Sequence, residues 1–141
     1  MNRIMIFGTF DGVHDGHRHL FQEAQALCDE LLVVVARDEH VLELKGRVPE
    51  RLLKERVELL SYESEVAQVI VGDEELGTYE VIIEHEPTMI MIGYDQDDLR
   101  RSLSTWMEEN NNHVMFHTAT AYEPEIFQSS LLREQVPEEV L

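Results

Sequence analysis

Arg3-Ile-Met-Ile-Phe7-Gly8-Thr9-Phe10-Asp11-Gly12-Val13-His14-Asp15-Gly16-His17 is the stretch on which the fold turns. Its apolar run, ending at Gly8, reads as a buried strand. Glycines 8, 12 and 16 let the backbone turn tightly and approach a ligand closely. Beyond His17, the apolar residues Leu20, Phe21, Ala24 and Leu27 recur at helical spacing, predicting a helix over residues 17–27. A glycine loop that opens directly onto a helix presents its first amides to an anion. His14 and His17 stand at the mouth of that anion site. Each imidazole can donate a hydrogen bond to a phosphate oxygen and can adapt its charge near neutral pH. A glycine-rich turn with two surface histidines is the plainer alternative. Strand, glycine loop, paired histidines and helix in this order are far more specific than His-x-Gly-His alone. A metal role for the pair lacks a third ligand of clear geometry and ranks below phosphate binding.

The pattern then repeats. Leu31 to Ala36 is a valine-rich run that predicts a second buried strand. Asp38 is placed to cap a short helix through Leu44. Pro49 suits the first turn of a helix running to about Tyr62. Val66 to Val71, Thr88 to Ile92 and His113 to Thr118 predict three further strands. Tyr79 to His85, Asp97 to Asn110 and Ser129 to Glu134 predict the remaining helices, and residues after about 134 form a fraying acidic tail. Strands and helices alternate throughout, with unbroken apolar strands. The expectation is a single-domain α/β protein, a Rossmann-like five-stranded parallel sheet with helices on both faces. In such sheets ligands bind beyond the carboxyl ends of the strands, where strand order reverses.

Composition bounds the function. The 141 residues amount to one domain. One cysteine, Cys28, excludes an internal disulfide and suits a reducing, cytoplasmic setting. No apolar run approaches the roughly 18 residues of a membrane span. A net charge of -18 argues against nucleic acid and anionic membrane as partners. An acidic chain that binds a polyanion must gather its few cations at the site, or bring a metal ion.

Three other strand ends carry chemistry. After the second come Asp38 and then Lys45-Gly46-Arg47, a turn whose two cations can close over phosphates, or simply a solvated loop. After the fourth comes Gly93-Tyr94-Asp95-Gln96, where Asp95 can bind a ribose hydroxyl or a base amine; alternatively Asp95 and Asp97 only cap the next helix. After the fifth come Tyr122, Ser129 and Ser130, serines that can cap a helix and bind phosphate. Met89, Met91 and Met115 read as core, Trp106 as packing rather than a flavin stack, and His40, His85, His113 and His117 as structural or exposed. His19 is expected to point off its helix into solvent.

Gly8-Thr9-Phe10-Asp11 with His14-Asp15-Gly16-His17 resembles the signature of the cytidylyltransferase-like nucleotidyltransferases. The Ala36-Arg37-Asp38, Lys45-Gly46-Arg47 and Gly93-Tyr94-Asp95-Gln96 strings resemble the archaeal-type FAD synthases among them. The resemblance implies transfer of a nucleoside monophosphate from ATP or CTP to a phosphorylated acceptor, FMN being favoured over glycerol-3-phosphate or a sugar phosphate, with release of pyrophosphate. A nucleotide-binding regulator without turnover is the reading of another class. The resemblance implies His14, His17 and Lys45 as catalytic groups. It implies Thr9, Phe10, His14, Asp15, Gly16, His17, Arg56, Asp95, Tyr122, Ser129 and Ser130 around the nucleotide, with Arg51 competing for the role of Arg56. Asp11, Asp38 and Arg47 would meet the acceptor. A magnesium ion (Mg2+) or another divalent cation would accompany the triphosphate, and a homodimer would suit such relatives. Gln128 departs from the hydroxyl residue usual before the paired serines.

Overall fold

The computed structural model describes residues 1–120. β1 (Arg3–Gly8), β2 (Glu30–Val35), β3 (Gln68–Val71), β4 (Met89–Ile92) and β5 (Met115–Thr118) form one sheet in the order β3-β2-β1-β4-β5. Every pairing is parallel. Between the strands run α1 (Asp15–Gln25), α2 (Asp38–Lys45), α3 (Leu53–Ser61), α4 (Glu80–His85) and α5 (Asp97–Asn110).

The unbroken apolar strands are explained by cover on both faces. Alternate side chains leave a strand on opposite sides. Met5, Phe7, Leu32, Val34, Ile90 and Ile92 therefore join one core with Val81 and Ile82 of α4 and Leu103, Trp106 and Met107 of α5. Ile4, Ile6, Leu31, Val33, Val35 and Met91 join the other with Phe21 and Ala24 of α1 and Leu60 of α3. Each large apolar side chain so buried contributes about 1.5–3 kcal/mol relative to exposure.

The chain steps outward from β1 to β2 to β3, then returns to lay β4 on the other side of β1. Strand order thus reverses between β1 and β4. In open parallel sheets the loops leaving two such strands part and leave a crevice where ligands bind. The glycine-histidine loop follows β1 and the Gly93-Tyr94-Asp95-Gln96 string follows β4, so both strings flank that crevice.

Several boundaries differ from the sequence reading. Pro49 does not begin a helix: α3 starts at Leu53, because the amides of Glu50 and Arg51 are drawn to the Asp11 carboxylate at 2.7 and 2.8 Å. Asp38 does not cap α2. Arg37 holds the cap position with no side-chain bond, while Asp38 accepts from the Leu53 amide at 3.2 Å at the head of α3. The first helix begins at Asp15, two residues before His17. The β5 strand is shorter than expected, and Met115 on it is 66% exposed, since among the described residues β5 has a strand neighbour on one side only. His19 does not point freely into solvent; it is half-buried, 3.9 Å from Glu23. The expected helix over Ser129 to Glu134 lies outside the described residues.

Candidate active site

The paired histidines form the head of α1 itself. His14 is the cap residue, and its Nδ1 accepts from the Gly16 amide at 3.0 Å. The His14 amide in turn donates to Nδ1 of His17 at 3.2 Å. This reciprocal pair is a capping box in which imidazoles replace the usual hydroxyl and carboxylate. It fixes both tautomers. With Nδ1 accepting, each neutral ring carries its proton on Nε2. The rings stack at 4.0 Å between centroids at the amino end of the α1 dipole, with His17 buried. Asp15 and Gly16 occupy the first turn behind them, and Asp15 is exposed.

The loop before them is built to hold that cap. Phe10 takes a left-handed backbone at φ 53, a conformation that costs of order 1–3 kcal/mol. Burial of its ring offsets the cost: it lies 5.1 Å from the ring of His17 and 5.8 Å from that of Phe21. The same ring lies against Gly8, where a Cβ would come within 2.7 Å of it; hence glycine at the strand end. Thr9 is buried, and its hydroxyl has no hydrogen-bond partner among the described residues.

Behind this loop sits Arg56, 0% exposed. Its guanidinium donates to the carbonyls of Thr9 at 2.8 Å and Arg51 at 3.0 Å and to the Asp38 carboxylate at 2.7 Å. Asp11 completes the clamp by taking the amides of Glu50 and Arg51. Arg51 closes it from outside, donating to the Asp11 carbonyl at 3.3 Å. Of the residues expected to touch ligand, Arg56, Asp11 and Asp38 are therefore engaged with the protein, tying the segment before α3 to the loop after β1. The fork of the arginine suits this task, because one planar group can satisfy acceptors on three segments.

On the β4 side the buried Gln96 plays an equivalent part. Its Oε1 accepts from the Gly93 amide at 2.7 Å and its Nε2 donates to the Phe7 carbonyl at 3.3 Å. It staples β4 to β1 across the point of strand reversal. Gln96, not Asp95, holds the cap position of α5, and Asp95 is half-buried beside it. The sequence reading named Gln96 only within its string. No motif betrays a side chain that joins backbone groups of two distant segments.

Six of the eleven lysines and arginines fall between residues 37 and 56: Arg37, Lys45, Arg47, Arg51, Lys54 and Arg56. Arg37, like Arg56, holds backbone, donating to the Gly72 carbonyl at 2.8 Å. Lys45 is half-buried at the last turn of α2 and Arg47 is exposed. The left-handed Gly46, at φ 75, ends the helix between them. Tyr122, Ser129 and Ser130 lie outside the described residues.

One group near the carboxyl end of β5 was also missed. Glu23 of α1 accepts from the Thr120 amide at 3.0 Å and lies 2.9 Å from Nε2 of His117. Burial would raise its carboxyl pKa. The His117 bond, the Thr120 amide and the neighbouring His117 and His19 charges outweigh burial and hold it below the ordinary glutamate value. A depressed carboxylate adds stability above its unfolded pKa and loses it as pH falls through the folded one. Glu23→Gln should accordingly flatten the acid limb of stability. The check is the urea midpoint followed from about pH 6 to about pH 3; parallel curves for both proteins would refute it.

A glycine loop, an imidazole pair on a helix amino end and a strand reversal together make an anion-receiving crevice of the nucleotide-handling α/β class. A family model described as cytidylyltransferase-like matches residues 5–135, and the chain belongs to that family. It is 31% identical to the FAD synthase of Thermococcus sibiricus over 137 residues, 96% of this chain and 93% of that protein. It is 32% identical to the FAD synthase of Thermoplasma acidophilum over 138 residues, 98% of this chain and 96% of the relative. Among solved structures, a lipopolysaccharide core biosynthesis protein from Thermoplasma volcanium matches with a TM-score of 0.78 at 34% identity, covering 86% of this chain and 98% of that one. Pantothenate synthetase from Thermus thermophilus shares the fold, with a TM-score of 0.62 at 13% identity, over 97% of this chain and 65% of its own.

Proposed function

We propose that this chain is an FMN adenylyltransferase, forming FAD and pyrophosphate from FMN and ATP. The imidazole capping box carries the reading, because it sets a pair of imidazoles at the amino end of α1, where an incoming phosphate is favoured. A phosphate oxygen of FMN attacks the α-phosphorus of ATP; a new P–O bond forms, the bond to the β-phosphate breaks, and pyrophosphate leaves. His14 and His17 stabilise the charge that grows on the phosphoryl oxygens, and the α1 amides assist them. Lys45 adds a positive charge from the other side, Arg47 meets the acceptor, and Asp95 binds the nucleoside. Thr9 and Phe10 shape the loop around the triphosphate. Asp11, Asp38 and Arg56 act one step back by holding that loop.

Among the described residues no three histidine, cysteine or acidic side chains cluster to hold a metal. Magnesium needs no such cage, since substrate phosphates supply most of its ligands. It enters here as part of the ATP substrate, where it shields the triphosphate.

A sugar-phosphate acceptor is the second reading, favoured by the likeness to the Thermoplasma volcanium protein. The test is pyrophosphate release with ATP or CTP and, in turn, FMN, glycerol-3-phosphate and heptose-1-phosphate. Release with FMN and ATP is the expected result. Release with heptose-1-phosphate alone would install the second reading. Nucleotide binding without release for any acceptor would make the protein a regulator.

A further inference from the structure

A cavity of about 110 Å³ lies at the carboxyl ends of β1, β2 and β3. On this measure one water needs only roughly 10–15 Å³, so the space is sized for a ligand group. Phe7, Val34, Tyr79, Val81 and Leu99 supply its apolar wall. All five belong to the core face covered by α4 and α5, the face opposite α1. Tyr79 is fixed as a flat panel: its ring meets Phe7 edge-on at 5.9 Å and Trp106 at 5.8 Å, and its hydroxyl is 2.8 Å from the Ser102 hydroxyl. Leu44 and Leu76, 53% and 42% exposed, extend the apolar surface to the rim.

Electrostatics decides which part of a ligand belongs there. Asp73 and Glu75 also line the cavity. Two acidic residues in a chain of net charge -18 repel a phosphate at this end. An uncharged ring meets no such cost, and apolar walls with few polar groups are what such a ring selects. The cavity also adjoins the anion site through the backbone. Gly8 belongs to its lining and begins the loop that ends in His14 and His17. α2 joins them as well, since His40 and Leu44 line the cavity and Lys45 is the next residue.

We infer that this cavity is the acceptor-ring subsite: it takes the flat, apolar, uncharged ring of a phosphorylated aromatic acceptor, whose phosphate then reaches back over Gly8 to the imidazole pair. The inference rests on the proposed FMN reading and sharpens it. Glycerol phosphate and sugar phosphates have no group to fill such a space, so the cavity would select the acceptor.

Trp106 supplies the readout. It is the only tryptophan in the chain and packs directly behind the Tyr79 wall. A flavin in the cavity would quench its emission. Riboflavin, which carries no phosphate, is the probe, tested with the whole chain and with Ala36→Phe, which narrows the cavity from the end of β2. Leu76→Asp, at the exposed rim, is the second variant, because it leaves the core untouched. Saturable quenching is expected for the original protein. Either variant should weaken riboflavin and raise KM for FMN about tenfold or more, the scale of a misfitted apolar group, while KM for ATP stays within about twofold. Equal riboflavin affinity in all folded variants, or no binding by the original protein, overturns the subsite. Loss of riboflavin binding in the variants, with no FMN turnover by the original protein, upholds the subsite and removes the FMN reading instead.

Discussion

His17→Gln should lower kcat by about a hundredfold or more while the protein stays folded. The size follows from the task. One positioned donor to a developing phosphoryl charge is worth about 10²–10³ in rate. The choice of glutamine follows from the structure. His17 does two things: its Nδ1 accepts the His14 amide, and its ring packs between Phe10 and Phe21. Alanine would remove both along with the donor, so a slow His17→Ala enzyme could be only a badly capped one. Glutamine is a natural partner at this position of a capping box. Its side-chain carbonyl can take the amide, limiting the loss of stability to about 1 kcal/mol, the scale of a helix cap. The measurement is kcat from pyrophosphate release at saturating FMN and ATP, beside a urea midpoint for each protein. An unchanged kcat in a folded His17→Gln protein would remove His17 from the chemistry.

The same residues show how far a sequence can be read. The strand, the glycine loop and the helix that follows were all visible in the first 27 residues, because hydrophobic periodicity and glycine are local signals. The order of strands was legible only as a class, since alternation implies a parallel sheet without saying which strand lies at its edge. Met115 therefore read as core but lies on β5, the edge among the described residues, largely exposed. Pro49 misled for a related reason. Its local preference for a helix start lost to Asp11, a residue 38 positions earlier, which holds Glu50 and Arg51 out of helix. The site was legible where groups act through their own chemistry, as in His14 and His17. It was not legible where they act through other segments. Gln96, Asp11, Asp38 and Glu23 bind backbone amides and carbonyls brought near only by folding. The apolar cavity likewise left no motif, since its wall combines residues from Phe7 to Leu99.

Arg56 yields the second large effect, and its sign separates two roles. As a phosphate ligand it would add to ATP affinity and little to the empty protein. As the buried node described above it would do the reverse. Its guanidinium is 0% exposed and meets two carbonyls and a carboxylate at 2.7–3.0 Å. Removing one partner of a buried pair costs about 3–5 kcal/mol, because the others stay desolvated. Asp38 retains 33% side-chain exposure, so water can partly replace the arginine there, and the lower end of that range applies. Even about 3 kcal/mol is a large share of the roughly 5–15 kcal/mol that holds a domain together. Arg56→Lys is the more telling substitution. It keeps the charge but cannot span three acceptors with one planar fork. Its expected loss is about 2 kcal/mol in the absence of any nucleotide, from the hydrogen bonds no longer made. In the second role kcat falls as well, since the Thr9 and Arg51 carbonyls it releases bracket the loop that sets the imidazole pair. Asp38→Leu together with Arg56→Met should then recover part of the stability lost in Arg56→Met alone, as apolar replacement of a buried ion pair commonly does, without recovering the rate. Unaltered stability of the nucleotide-free Arg56→Lys protein, with a raised KM for ATP, would return Arg56 to the phosphates and leave the loop to be held by Asp11 alone.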